Sequence, residues 1–329
     1  MDNAHPFEKL TPDFIIDAIE SLGLYCDGRI LALNSYENRV YQVGIEDKTP
    51  IVVKFYRPNR WTTAQIAEEH DFSYELLGVD LPVVVPEKLG TENTLFTYQE
   101  FEFSVFERKG GRAPELDNLD NLYIMGQTLG RMHSVGSAKA FKYRPTLDIE
   151  SFGIQSVDYL LKHFIPDSLR ASYEGLCTDL INKINAAFSK AAHAINPIRL
   201  HGDCHMGNIL WRDDMPHFVD FDDARMAPAI QDIWMLLSGE RHEKLSQLSE
   251  IVDGYDEFSE FPHQQLQLIE PLRTLRMMHY AAWLGRRWQD PAFPQNFPWF
   301  NTERYWGEHI LQLKEQSSEL DLEPLELVR

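Results

Sequence analysis

No run of eighteen uncharged apolar residues occurs anywhere in the 329-residue sequence, so no stretch is expected to cross a membrane as a helix. The amino terminus, Met1-Asp2-Asn3-Ala4-His5, has no basic segment followed by an apolar one, and export is not expected. Cysteine is scarce. Cys26, Cys177 and Cys204 are odd in number and far apart, which fits neither a disulfide framework nor a four-cysteine zinc site and points to a reducing cytoplasm. Positive charge is also in deficit: 31 Lys and Arg stand against 51 Asp and Glu, a net charge of −20, so the phosphate attraction behind general nucleic-acid binding is missing. Internal repeats and low-complexity tracts are absent, and the 18 prolines are scattered. What remains is 43% hydrophobic and 12% aromatic, enough for one large core or two joined lobes.

From Arg29 to Phe106 short β-type runs alternate with turns: Ile30–Leu33, Arg39–Val43, Ile51–Tyr56, Leu95–Tyr98 and Phe101–Phe106. They predict an antiparallel sheet. One helix interrupts them at Thr63–Leu77, with Ile66, Phe72 and Leu76 on one face and Thr62 or Thr63 as its cap. After Gly110-Gly111 the pattern becomes helical, over Leu122–His133, Ile154–Leu160, Ser168–Ala192, Gln231–Leu237 and Glu270–Trp288, with a short β-rich interruption near Leu200–Asp222. The expected fold is α+β and two-lobed: a small antiparallel β lobe with one helix over residues 1–107, and a larger helical lobe over 108–329.

The most informative stretch is Leu200-His201-Gly202-Asp203-Cys204-His205-Met206-Gly207-Asn208-Ile209-Leu210, followed by His217-Phe218-Val219-Asp220-Phe221-Asp222-Asp223. Two apolar strands flank a polar loop. Phosphoryl transfer needs a carboxylate to accept the acceptor's proton and oxygen ligands to hold magnesium on ATP. Asp203 and Asn208 stand five apart, the spacing of the base and the metal ligand in kinase catalytic loops, and Asp220 takes the place of the D-F-G aspartate. Any one of these residues alone would more readily be a turn-former or a cap; the ordered triple favours chemistry. Upstream, Ile51-Val52-Val53-Lys54-Phe55-Tyr56 resembles the strand whose lysine pairs with phosphates, with Glu69, or else Glu68, as that lysine's partner. Between the first two strands, Leu33-Asn34-Ser35-Tyr36-Glu37-Asn38-Arg39-Val40-Tyr41 stands where kinases carry a glycine-rich loop, yet it has no glycine. Position alone suggests Phe106, in Val105-Phe106-Glu107-Arg108, as an adenine contact. Asp232 is a candidate to bond backbone N–H groups of the Asp203 loop, or else merely a residue at a helix start. His201, Cys204 and His205 lack a fourth partner at zinc-like spacing.

These residues resemble the choline/aminoglycoside kinase-like branch of the protein-kinase superfamily, in which H-G-D-x-x-x-x-N and D-F-D replace H-R-D and D-F-G. Gly126-x-x-Leu129-Gly130-x-x-His133 resembles a helix of that branch. Asn34–Tyr41, Val53–Pro58, Asn208–Asp213 and Asp290–Pro294 are similar to a group of bacterial cytoplasmic kinases within it, and the resemblance spans nearly the whole chain. It implies Asp203 as proton acceptor, Asn208 and Asp220 as magnesium ligands and Ser35 as an ATP contact. It further implies an enzyme that phosphorylates protein Ser and Thr, itself included, in a stress response; a monomer is expected. Two other readings stand beside it: a kinase acting on a small-molecule hydroxyl, and a non-catalytic ATP-binding regulator, although the latter has no need of Asp203. A charge of −20 would attract basic polypeptides, and cationic small molecules equally. The grouping of Arg273, Arg276, Trp283, Arg286, Arg287, Trp288 and Trp299 instead suits an anionic acceptor, unless it is helix core plus solvated charge.

Overall fold

The computed structural model describes residues 5–90 and 92–327. In chain order its first elements are α1 (Pro12–Glu20), β1 (Cys26–Ala32), β2 (Arg39–Ile45), β3 (Ile51–Phe55), α2 (Thr63–Leu77), β4 (Phe96–Tyr98) and β5 (Phe101–Glu107). Next come α3 (Leu119–Ser137), α4 (Gln155–His163), α5 (Asp167–Lys190), β6 (Ile198–Leu200), β7 (Ile209–Arg212), β8 (Met215–Phe218) and β9 (Arg225–Ala227). The rest is helical: α6 (Ile230–Trp234), α7 (Arg241–Tyr255), α8 (Ile269–Arg286), α9 (Ala292–Asn296) and α10 (Glu303–Glu319). No helix among the described residues is long and apolar enough to cross a membrane.

These elements form two compact units. The first gathers the chain up to Glu115, Phe141–Arg144 and His205–Ala224; the second holds Leu116–Ala140, Pro145–Cys204 and the chain from Arg225 onward. Each unit is thus assembled from separated stretches, where a division into 1–107 and 108–329 would make each continuous. Hydrogen bonds account for the difference. Trp211 and Arg112 exchange backbone bonds of 3.1 and 2.6 Å, Val84 N–H donates to Phe218 and Phe218 N–H to Pro82, so β7 and β8 belong with the first unit. The Glu68 carboxylate accepts the backbone N–H groups of Lys142, Tyr143 and Arg144, and these bring in the short 141–144 segment.

In the first unit the sheet is antiparallel, in the order β1-β2-β3-β5-β4. Cross-strand partners share a face, and successive residues alternate between faces. Val53 stands between Tyr41 and Val105, and Phe55 between Arg39 and Phe103, on the face that packs with α1 into a core including Phe14, Ile15 and Phe101. Lys54 and Val52 take the other face, across from Val40 and Phe106 respectively. Helix α1 was not among the expected elements, although Thr11 caps it through Phe14 N–H and Pro12 and Asp13 open it. Helix α2 begins at Thr62, whose side chain and that of Gln65 close a reciprocal capping box.

In the second unit α3 and α7 cross through glycines. A methyl group on Gly126 would sit 2.1 Å from the Ile251 carbonyl oxygen, and one on Gly254 2.1 Å from that of Tyr123. Gly126→Ala should therefore destabilise the protein by about 1–3 kcal/mol, because two helix backbones must separate. Gly175→Ala, on α5 with nothing within 4 Å, should stabilise it by about 0.5–1 kcal/mol. Urea unfolding midpoints of the two variants measure both, and equal shifts would contradict the close crossing.

Candidate active site

The sheet face carrying Lys54 lines a cavity of about 390 Å³ in the first unit. Val40, Val52 and Phe106 form apolar wall, while Ser35, Lys54, Asn208 and Asp220 bring polar atoms to it. A tight hairpin aligns the last two. Asp213 and Asp214, both left-handed, make the two-residue turn between β7 and β8, which pairs Ile209 with Phe218. Val219 N–H then donates to the Asn208 carbonyl at 3.0 Å, setting Asn208 beside Asp220. Asp220 itself is left-handed (φ 60°), a conformation that Asp tolerates better than most residues.

Lys54 is buried, and its Nζ lies 3.0 Å from Asp220, 3.1 Å from Asp222 and 3.5 Å from Glu69. Burial alone would lower its pKa, but the three carboxylates outweigh that and raise it well above that of a free lysine. Burial likewise disfavours the charge on Asp222, yet Arg60, Lys54 and Arg144 overcome it and hold its pKa below the usual carboxylate range. Arg60 contacts both Asp222 and Asp223, and Arg144 lies 3.3 Å from Glu69 while donating to the Asp222 and Ala224 carbonyls. His70, bonded to Tyr56 and Thr94, is driven by burial, and then by Lys54 and Arg144, down to about 3, so it stays neutral in this network.

Glu69 reaches Lys54, whereas Glu68 is committed to the backbone of residues 142–144. Asp222, Arg60 and Arg144 were not candidates from the sequence. The D-F-D pattern hinted at the first; the two arginines come from distant segments with no motif of their own.

The glycine-free loop is clamped by arginines. Arg39 donates to the Tyr36 carbonyl at 2.9 Å and Arg57 to that of Glu37 at 2.8 Å, while Arg57 N–H bonds the Asn38 side chain at 3.0 Å. Ser35 Oγ donates to the Asn38 carbonyl at 3.2 Å. Arg39 also lies 4.4 Å from the Phe7 ring, a cation–π contact.

Asp203 belongs to the second unit. The loop before it is pinned by buried Asp232, whose two oxygens accept His201 N–H and Gly202 N–H at 2.9 Å each, while Gly202 turns at φ 84°. Asp232 thus does bond the backbone of this loop, and His133 lies 3.4 Å from it. No cluster of three His, Cys, Asp or Glu suited to a metal occurs among the described residues.

A sequence model of the phosphotransferase enzyme family (APH) matches residues 29–268. The chain belongs to the phosphotransferase enzyme family. Stress response kinase A of Escherichia coli (strain K12) is 45% identical over 327 residues, covering 99% of this chain and 98% of that one. Serine/threonine protein kinase RdoA of Salmonella typhimurium (strain LT2) is 43% identical over the same shares. A solved amicoumacin kinase, hAmiN, in complex with AMP-PNP, Ca2+ and Ami, superposes with a TM-score of 0.70 at 19% identity, covering 94% of each chain. At that identity the likeness shows the fold, the protein-kinase-like fold of choline and aminoglycoside kinases. The chain is a phosphotransferase whose full-length relatives are named as kinases.

The charge cluster makes a stability prediction. Asp222→Asn leaves Lys54 and Arg60 buried without their shared counter-ion and should cost about 3–5 kcal/mol. Asp223→Asn, at a carboxylate 33% exposed, should cost about 1 kcal/mol or less. Denaturant titration of the two variants would reveal equal losses if Asp222 were not the buried hub.

Proposed function

We propose that this phosphotransferase moves the γ-phosphoryl group of ATP, with magnesium, to Ser and Thr hydroxyls of proteins, its own included, as a cytoplasmic monomer in a stress response. The observation that carries the reading is Lys54, kept charged on a cavity wall by carboxylates of which one, Asp220, is itself 49% exposed beside Asn208. A fixed cation of this kind suits phosphate oxygens, and Ser35 on its clamped loop adds a hydroxyl. Phe106 and the neighbouring valines offer the apolar surface an adenine ring needs.

Asn208 and Asp220 fit magnesium by their chemistry. Both donate oxygen, and around Lys54, Arg57, Arg60 and Arg144 stand five carboxylates, Glu37, Glu69, Asp220, Asp222 and Asp223, so negative charge exceeds positive. Two protein ligands suffice, because this ion keeps several waters and takes substrate phosphates. Bound there, magnesium would offset the charge that develops on the phosphate oxygens. Asp203 acts on the other reactant: its carboxylate accepts the hydroxyl proton, and Asp232 fixes the backbone that presents it.

The names of relatives at 43–46% identity over nearly their whole length support a protein acceptor. Free Cys26, Cys177 and Cys204 support a reducing compartment. Incubation with ATP and magnesium, followed by mass spectrometry, should find phosphoserine or phosphothreonine on the protein itself or on a test protein. Asp203→Asn should lower turnover about 10²- to 10⁴-fold with ATP affinity nearly unchanged, and Asp220→Ala should abolish transfer. Modification of an amino alcohol or aminoglycoside with no protein-bound phosphate would replace the reading with a small-molecule kinase. ATP binding without any transfer would leave a regulatory module.

A further inference from the structure

Within the second unit Asp203 is already engaged: Arg276 of α8 places Nη2 2.7 Å from its Oδ1. The two side chains are 36% and 23% exposed, although Asp203 Oδ1 itself is buried beneath the arginine. Arg276 also begins a stripe. Tyr280, Trp283 and Arg287 follow at intervals of four, three and four residues, one face of α8 and its cap. The Tyr280 and Trp283 rings stack at 5.6 Å and 22°, and the Arg287 guanidinium lies 6.0 Å from the Trp283 ring. The one acidic residue of α8, Glu270, is directed to Arg273 at 3.3 Å and to Gln316 at 2.7 Å. A basic and aromatic track therefore leads away from Asp203 on a chain of net charge −20.

Local and distributed charge make opposite demands on an acceptor, and distance decides between them. At physiological salt the Debye length is about 8 Å, so the spread-out −20 is largely screened while a guanidinium in contact with the bound chain is not. A cationic group beside the acceptor hydroxyl would meet Arg276 and be repelled. An anionic group would draw Arg276 to itself and release the Asp203 carboxylate to take the hydroxyl proton.

We propose that the acceptor is an acidic polypeptide segment: a Ser or Thr flanked by Asp or Glu that takes Arg276 from Asp203, with Arg287 engaging a second acidic residue. This deepens the kinase reading and rests on Asp203 as proton acceptor. Eleven residues of helix separate the arginines by about 16 Å, which matches about five residues of extended peptide. In the transfer the hydroxyl oxygen forms the new bond to the γ-phosphorus, the bond from that phosphorus to the β–γ bridging oxygen breaks, ADP leaves, and the proton passes to Asp203.

Synthetic serine peptides with Glu, Ala or Lys at the flanking and fifth positions test the proposal through kcat/KM, alongside autophosphorylation. Wild type should favour the Glu peptide over the Lys peptide by at least about tenfold. Arg287→Glu, remote from the Asp203 pair, should erase most of that preference through KM. Arg276→Glu should turn the preference toward Lys. Equal or better use of the Lys peptide by wild type, with autophosphorylation intact, overturns this inference alone. Transfer to no protein or peptide at all overturns the kinase reading with it.

Discussion

A buried ammonium ion whose charge is held by neighbouring carboxylates is the feature on which the first unit depends. Lys54 sits on an apolar strand where desolvation would neutralise it, and three carboxylates within 3.5 Å prevent that. Different local rules place Lys54 and two of its partners. The sheet register turns Lys54 away from the core, the capping box of α2 fixes where Glu69 falls on its helix, and the left-handed Asp220 closes the turn after β8. Arg60 and Arg144 then hold Asp222 charged, and the most exposed member of the cluster lies at its edge. That member, Asp220, faces the cavity.

Rigid loops recur in both units, and each is fixed by charge against backbone. The segment Asn34–Asn38 has no glycine, and Arg39 and Arg57 satisfy its carbonyls from outside. The His201–Gly202 turn is held the other way round, by a carboxylate taking two N–H groups. Preorganised donors and acceptors of this kind suit a reaction in which positioning and electrostatics supply most of the catalysis.

The five strands and α2 were legible because alternation and capping are local signals, and β3, β2 and β5 lie where the apolar runs of Ile51–Tyr56, Arg39–Val43 and Phe101–Phe106 placed them. The ordered Asp203, Asn208 and Asp220 motif carried the family. Helix α1 was legible in Thr11-Pro12-Asp13 and was missed; α7 and α10 were missed too, α7 having only weak apolar periodicity. Spacing from Ile66 and Phe72 favours Glu69 without excluding Glu68, since both lie on α2; the 142–144 backbone claims Glu68. Asp222, Arg60 and Arg144 were illegible for a deeper reason: their pairing joins residues 60, 144 and 222, a contact that no sequence window contains. The discontinuous units share that cause.

The account stands or falls on Lys54 as the phosphate-binding cation. Calorimetric titration of ATP and of adenosine into wild type and Lys54→Met measures this directly. The account predicts that the variant loses ATP affinity by about one to two orders of magnitude, the scale of a lost charged hydrogen bond, while adenosine binding is unchanged. Equal ATP affinity in a folded Lys54→Met protein would contradict it.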